Sequence, residues 1–435
     1  QNLKQILKLY KKFFDFISYD FLITAVFVIS SSIILIKYPY IIIDRKILVS
    51  FIAVNIALII AYLIFSIAGK RRILYKIVII LILIINFLFL NFQYLNYRKI
   101  DKLSLQDETL HTEIAIEYFL SGKNPYKENY FNTIFAEWHY TFNRFSQITP
   151  PPIYHYAYPP FSFIMPLPFY LVGQKLFDYY DQRWLYIILY LFSVFLLFKI
   201  PNKKNQKILL VSFFAFNPVI LGHLFFGSNN IAVLFWIILT IYLLKKNRLL
   251  FSSISLAFAA GVKQSAWFIL PFYFTYIFFK KDKNFIKTFK SVCPFFIVSI
   301  IIFLPFFIWD AYSLFDDILY FSSGKSVNSY PIGGIGLTGI LVKFNIIKSP
   351  LSYFPCWIFQ ALFGLPLLVY LLKRQIKNNS VKVMLFNYSL FLFVVWFFSR
   401  YFYLDHFNYI MVILVIGCFT PNKFFYENKH YVSLL

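Results

Sequence analysis

Apolar runs long enough to cross a lipid bilayer recur along this chain. Phe21–Lys37, Ile47–Ala68, Ile73–Leu95 and Trp184–Lys199 approach or exceed the ~20 helical residues a hydrocarbon core demands, within a range of ~17–25. Inside such a core only helices and closed barrels satisfy their own backbone polar groups. With 60% hydrophobic and only 14% charged residues, 435 residues read as an all-α polytopic membrane protein, not a globule with an anchor.

The net charge of +24 would ordinarily suggest nucleic acid. Here the bases sit in short clusters between apolar runs: Lys70-Arg71-Arg72, Lys203-Lys204, Lys245-Lys246-Asn247-Arg248, Lys280-Lys281-Asp282-Lys283 and Lys373-Arg374. That pattern marks cytoplasmic loops, so no nucleic-acid partner is expected. Cys293, Cys356 and Cys418 are isolated in apolar runs and read as small buried hydrophobes without metal or redox spacing. Gln1 is not an initiator Met, so the true start is expected upstream. Leu3–Tyr19 carries four lysines among Leu and Phe, like an interfacial amphipathic helix.

With the basic clusters inside, twelve spans are expected near 21–37, 47–68, 73–95, 183–200, 207–224, 229–245, 249–262, 265–279, 290–308, 353–372, 382–398 and 408–421. Most acids then fall outside and most bases inside. The organisation follows: an interfacial helix and three spans over 1–96, and an outer catalytic loop over 97–182. Central spans fill 183–308, a second outer loop 309–352, and C-terminal spans with a cytoplasmic tail 353–435. Pro159–Phe177 must enter and leave by the same face, and Pro159, Pro160, Pro166 and Pro168 break any continuous helix there. It is expected to be a re-entrant or interfacial element flooring an outward cavity. The hairpin 249–279 is also unusual. Each arm has ~15 residues, or ~22 Å, short of a ~30 Å core. Lys263 at its tip therefore lies in the outer half of the membrane, where a charge needs a partner or water.

The acids are not scattered. Asp101, Asp107, Glu108, Glu113, Glu117, Glu128 and Glu137, seven of the eighteen, fall on one polar segment between residues 98 and 158. Leu110, Ile114 and Tyr118 recur at helical spacing, Ser104-Leu105-Gln106-Asp107 has the form of a capping box, and Gly122 suits the position just past a helix. An amphipathic helix over 105–121, lying on the membrane, is predicted. Asp107 stands at its start, and Glu108, Glu113 and Glu117 are expected on a solvated face. Asp107 also fits a plain N-terminal cap.

Polar motifs continue along the same outer side. Gly122-Lys123-Asn124-Pro125-Tyr126 is followed by His155 and Tyr158-Pro159-Pro160, then Gly227-Ser228-Asn229-Asn230 and Gly261-Val262-Lys263-Gln264 with Pro271. Arg400, Asp405, His406 and Tyr409 close the series. Their order, spacing and shared face, over roughly residues 100–410, resemble the GT-C glycosyltransferases, particularly the mannosyltransferase-type branch that uses polyprenyl-phosphate sugars. Such proteins often read Gly-Gln-Asn-Asp where this chain has Gly227-Ser228-Asn229-Asn230, and the acid of the outer helix is doubled here.

The resemblance implies a GT-C-like bundle of about twelve transmembrane helices that transfers a hexose, mannose favoured, from a polyprenyl-phosphate sugar. The acceptor would be a lipid-linked or glycan hydroxyl, and the reaction would proceed with inversion. Phosphate is already a good leaving group, so one carboxylate base suffices, unlike the paired carboxyls of glycosidases. Asp107 is the first candidate and Glu108 the second. Lys263, Arg400 and His406 are candidates to hold the donor phosphate. His111, Asn124, Tyr126, His155, Tyr158, Asn229, Asn230 and Gln264 are candidates for substrate contact. No metal ligand set is expected, and no cofactor beyond the donor itself, though a divalent metal is not excluded. The expected partners are membrane lipid, the lipid-linked sugar and the acceptor. The chain is expected to be a monomer in the plasma membrane of a bacterium or archaeon, with its site on the outer face. A lipid-linked-saccharide flippase and an O-antigen-type ligase or polymerase are the alternatives. A flippase should show an internal repeat of spans, and none is visible.

Overall fold

The computed structural model describes residues 45–67, 73–97, 105–137 and 151–422, with Ile23 and Val26. The N-terminal interfacial helix, the first expected span, Ser104 of the expected capping box and the tail beyond 422 lie outside the described residues. What is described is almost wholly helical. Its one sheet pairs Gly333–Gly334 with Tyr401–Phe402 in parallel.

The expected spans correspond closely to helices Arg45–Ile67, Ile73–Tyr97, Arg183–Lys199, Asn230–Lys245, Leu249–Val262, Cys356–Lys377, Val381–Phe397 and Leu404–Phe419. Three expectations change. The span expected at 207–224 is two helices, Lys204–Ala215 and Pro218–Phe226, bent by 46° where Asn217 caps the second and Pro218 opens it. The span expected at 265–279 begins as a 3₁₀ segment, Gln264–Ile269, before Leu270–Lys280. The span expected at 290–308 belongs to a longer helix, Phe285–Phe315, with Pro294 and Pro305 inside it and a non-helical break at Asp310.

By length and composition, two helical stretches among the described residues suffice to cross a bilayer, Phe285–Ser323 and Cys356–Lys377. The bent pair makes a third if taken as one span. By this measure the expected twelve crossings are not reached among the described residues. Apolar helices of 10–17 residues make up the rest of the bundle.

One core runs through the bundle, with Ile237, Ile241, Leu256, Phe272 and Leu392 fully buried in it. Outward, Ile297, Ile300, Ile301, Leu362 and Leu365 are exposed, as suits helices facing lipid rather than water. The Asn230–Lys245 helix gives the bundle its polarity. At one end Lys245 Nζ donates to the carbonyls of Lys199 and Ile200 at 2.9 and 2.6 Å, so the basic clusters gather there. The opposite end meets the acidic segment. A second, smaller core of Leu110, Ile114, Tyr126, Tyr130, Tyr156 and Phe163 joins the outer loop to the helix ending at Phe315.

The outer helix is Asp107–Leu120, close to the 105–121 predicted, and Gly122 follows it with φ +75°. Its N-cap is Gln106, which makes no side-chain cap bond, in place of the Ser104 box. Nor does it lie on a surface. Glu108 through Ile116 are all buried, so the solvated-face expectation holds only for Glu117. Glu113 is enclosed and accepts the backbone N–H of Gln182 at 2.8 Å. The periodicity of Leu110, Ile114 and Tyr118 marked one packed face; the loops folded over the helix cover the other.

Pro159–Phe177 breaks as its prolines require, into Phe161–Ile164 and Leu167–Phe177. Phe161 stacks on Phe258 at 4.5 Å, and a Cβ at Gly261 would stand 2.8 Å from that of Phe161. This element is therefore pressed against the short hairpin whose tip carries Lys263.

Candidate active site

Two close approaches set the site. Gln106 donates its N–H to the Phe226 carbonyl at 2.7 Å, docking the start of the outer helix beside Gly227. Gly227 has φ +78°, and a Cβ there would lie 2.2 Å from Thr109 Oγ1, so only glycine allows the contact. The next residues then reach the second carboxylate of the outer helix. Ser228 Oγ and the Asn229 N–H both donate to Glu108 Oε2, at 2.7 and 2.9 Å.

Lys263 arrives from the hairpin. Its residue is extended, between the Leu249–Val262 helix and the 3₁₀ turn, which aims the side chain across the tip. An ammonium has three donors. They go to Glu108 Oε1 at 3.0 Å, Asn229 Oδ1 at 2.7 Å and Asn230 Oδ1 at 2.9 Å. All three Lys263 donors are thus engaged within the protein, so its expected role as a phosphate ligand would require one of them to be given up. Asn229 and Asn230, expected to touch substrate, instead orient the lysine; Asn230 also lines the cavity.

The two adjacent acids have unlike surroundings. Burial alone would raise the Glu108 pKa, but the Lys263 charge and the bonds from Ser228 and Asn229 outweigh it and hold the carboxyl below its ordinary value. Asp107 is partly exposed in a cavity of about 500 Å³, where its Oδ1 accepts the N–H of Glu108 at 2.9 Å. Burial, reinforced by the neighbouring Glu108 charge, pushes the Asp107 carboxyl up to about 7.

The same cavity is lined by His111, Tyr158, Gln264, Arg400, Asp405 and His406, so residues spread over some three hundred positions converge as the motif order implied. Their duties differ from those expected. Arg400 is 1% exposed, and its guanidinium donates to the carbonyls of Tyr330, Ser352 at 2.8 Å and Pro350 at 3.2 Å. Three of its five N–H donors thus brace the second outer segment. Gln264 likewise gives its amide N–H groups to Ala157 and Ile318 carbonyls. His406 Nδ1 accepts the Tyr403 N–H at 3.3 Å, and its ring meets Trp396 edge-on at 4.8 Å. The Tyr158 ring lies 5.9 Å from Lys263 Nζ, a cation–π distance. His111 packs 4.7 Å from the Tyr130 ring, and burial pushes its imidazole down to about 3, which keeps it neutral.

Four expected substrate contacts lie off the cavity lining: Asn229, already described, and Asn124, Tyr126 and His155. Asn124 Oδ1 accepts the Tyr126 N–H at 3.1 Å and shapes the turn, while the Tyr126 hydroxyl donates to the Tyr158 carbonyl at 2.8 Å. His155 Nδ1 faces Asp317 Oδ1 at 2.7 Å, and its Nε2 donates to the Val327 carbonyl at 2.8 Å. Despite its burial, the Asp317 bond and charge raise the His155 pKa. His155, Asp316 and Asp317 are the group among the described residues whose ligand atoms lie close enough to hold a metal ion, all within 4.8 Å. Within it the imidazole meets Asp317 at 2.7 Å, and Asp316 Oδ2 accepts the Ser326 hydroxyl at 2.7 Å.

Sequence reasoning passed over Ser228, Asp317 and Lys325. The adjacent acids Asp316 and Asp317 in an apolar stretch, and the turn Ser322-Ser323-Gly324-Lys325-Ser326, were available signals. From the sequence, the 309–352 segment reads only as a second outer loop.

A multi-helix scaffold with helices suited to a membrane folds outer loops over a carboxylate-bearing cavity, as an integral membrane enzyme requires. Residues 156–399 match the model of glycosyltransferase family 87, more than half of the chain, and the chain belongs to that family. It is a membrane glycosyltransferase, and the flippase alternative is set aside. The match begins after the outer helix, so Asp107 and Glu108 rest on geometry alone. No curated protein and no solved structure matches the chain.

Proposed function

We propose that this glycosyltransferase moves a hexose, mannose favoured, from a polyprenyl-phosphate sugar to a hydroxyl of a lipid-linked or glycan acceptor on the outer face, with inversion, and that Asp107 is its base. The observation that carries this is the division between the paired acids. Glu108 is saturated by Lys263, Ser228 and Asn229, whereas Asp107 opens into the cavity with one backbone donor. A carboxyl near 7 is matched to taking a proton near neutral pH.

In the step, an Asp107 oxygen takes the acceptor hydroxyl proton as the acceptor oxygen bonds to the anomeric carbon. The bond from that carbon to the phosphate oxygen breaks on the opposite face, and the phosphate leaves with the electron pair. No general acid is needed. The apolar flank of the cavity, with Trp267, Phe268, Trp357 and Trp396, suits a polyprenyl chain. We place the enzyme in a bacterial or archaeal plasma membrane, consistent with its separated acidic and basic ends.

The test is transfer of radiolabelled hexose from polyprenyl-phosphate donors by the enzyme reconstituted in vesicles. Wild type should transfer; Asp107→Asn should lose ~10²–10⁴-fold, the usual range for a general base, while eluting as a folded protein. Full activity in Asp107→Asn, Glu108→Gln and the double variant would refute the mechanism.

A further inference from the structure

The cavity holds three cations, Lys263, Arg400 and Lys325. Two are committed. The Lys263 ammonium spends its three donors on Glu108, Asn229 and Asn230. The Arg400 guanidinium is buried against the carbonyls of Tyr330, Pro350 and Ser352. Lys325 is exposed on the cavity wall, and among the described residues its ammonium has neither a carboxylate nor a hydrogen-bond partner. Only its backbone N–H is engaged, by the Tyr320 carbonyl at 3.0 Å.

The loop around it, by contrast, is tied at both ends. Upstream, a π-helical turn at Asp316–Tyr320 turns Asp317 back to the first outer loop, where it meets His155 and the Tyr156 N–H, both at 2.7 Å. Downstream, Ser326 Oγ donates to Asp316 Oδ2 at 2.7 Å, and His155 Nε2 holds the Val327 carbonyl at 2.8 Å. One imidazole thus links the two sides of the loop. Gly324, at φ +88°, supplies the left-handed residue just before the lysine. A Cβ there would stand 2.6 Å from Arg400 Nη1, so Arg400 packs directly beneath the turn. Fixing a loop at this many points loses chain entropy, and the loop so fixed carries its lysine on the lining of the carboxylate-bearing cavity. An unpaired cation on a preorganised loop is the arrangement that binds an anion without first breaking an ion pair.

We infer that Lys325 supplies the positive charge that meets the donor's phosphate, with Arg400 and the His155–Asp317 pair as positioning residues for its loop. This rests on the polyprenyl-phosphate donor proposed above. The leaving phosphate gains a negative charge as its bond to the sugar breaks, so Lys325 should favour the transition state over the bound donor.

The experiment uses the reconstituted full chain, with polyprenyl-phosphate hexose as donor and sugar-free polyprenyl phosphate as competing anion. Lys325→Gln should lower kcat/KM for the donor and raise the inhibition constant of polyprenyl phosphate by about tenfold or more, as expected for a charge-assisted hydrogen bond. Added salt should weaken inhibition of wild type markedly and of Lys325→Gln little. Lys325→Arg should restore most of both, which a merely misfolded loop would not. Lys325→Gln within twofold of wild type in both constants, with unchanged salt dependence, overturns the inference while transfer by wild type leaves the donor reading standing. Wild type that neither transfers from nor is inhibited by polyprenyl phosphate overturns the donor reading and this inference with it.

Discussion

Glu108 and Lys263 are separated by 155 positions and meet at 3.0 Å, at the join of the outer helix and the short hairpin. Both side chains are largely enclosed, at 11% and 14% exposure, so their charges depend on each other. Removing one partner leaves an uncompensated charge, at a cost of about 3–5 kcal/mol for a buried pair. Glu108→Gln and Lys263→Met should each unfold well before wild type in a thermal scan in detergent. The double variant should recover part of the loss. Additive losses would show that the pair does not act as a unit.

The pair also tunes its neighbour. With Asp107 titrating at about 7, the carboxylate required of a base is lost as pH falls through that value. Wild-type kcat/KM should therefore rise with pH up to about 7 and then level off.

Glu108 raises the Asp107 pKa and Lys263 lowers it. The acidic limb of residual activity should consequently shift to lower pH in Glu108→Gln and to higher pH in Lys263→Met. Shifts of the same sign in both variants would contradict the electrostatic account. The comparison needs only relative rates against pH.

Gly227→Ala inserts a methyl 2.2 Å from Thr109 Oγ1 at a backbone angle that alanine disfavours. Strain of this kind costs about 1–3 kcal/mol. The first turn of the outer helix should be pushed away, and Ser228 and Asn229 should lose Glu108. Loss of both melting temperature and transfer rate is expected. Gly122→Ala, at φ +75° but with open space around its Cβ, should lower stability less and spare activity.

Lys175 is exposed on the Pro-broken element. In a background lacking Cys293, Cys356 and Cys418, a Lys175→Cys variant should react with an impermeant maleimide added outside intact cells. Labelling only from the cytoplasmic side would reverse the proposed orientation.

Much of this arrangement was legible as pattern. Gly122 announced the end of the outer helix because few other residues tolerate a positive φ. Lys263 at a hairpin tip followed from counting residues between two basic flanks. The burial of Glu108 and Glu113 was not legible, because helical spacing marks which residues share a face and not which loops later cover the opposite one. The expected roles of Arg400 and Lys263 turn on a related count. Sequence shows that a cation is present, but only packing shows whether its donors are already spent.

The sequence by itself determined a helical membrane protein, the segregation of its acids from its bases, and the set of polar motifs that share one site. Apolar length, charge clustering and glycine's conformational freedom are local properties and can be read locally. The tertiary structure alone decided which of two adjacent carboxylates is held and which is open, and which of three cavity cations has its ammonium without a hydrogen-bond partner among the described residues. Those outcomes depend on hydrogen bonds from groups far apart along the chain, and no local pattern records that count.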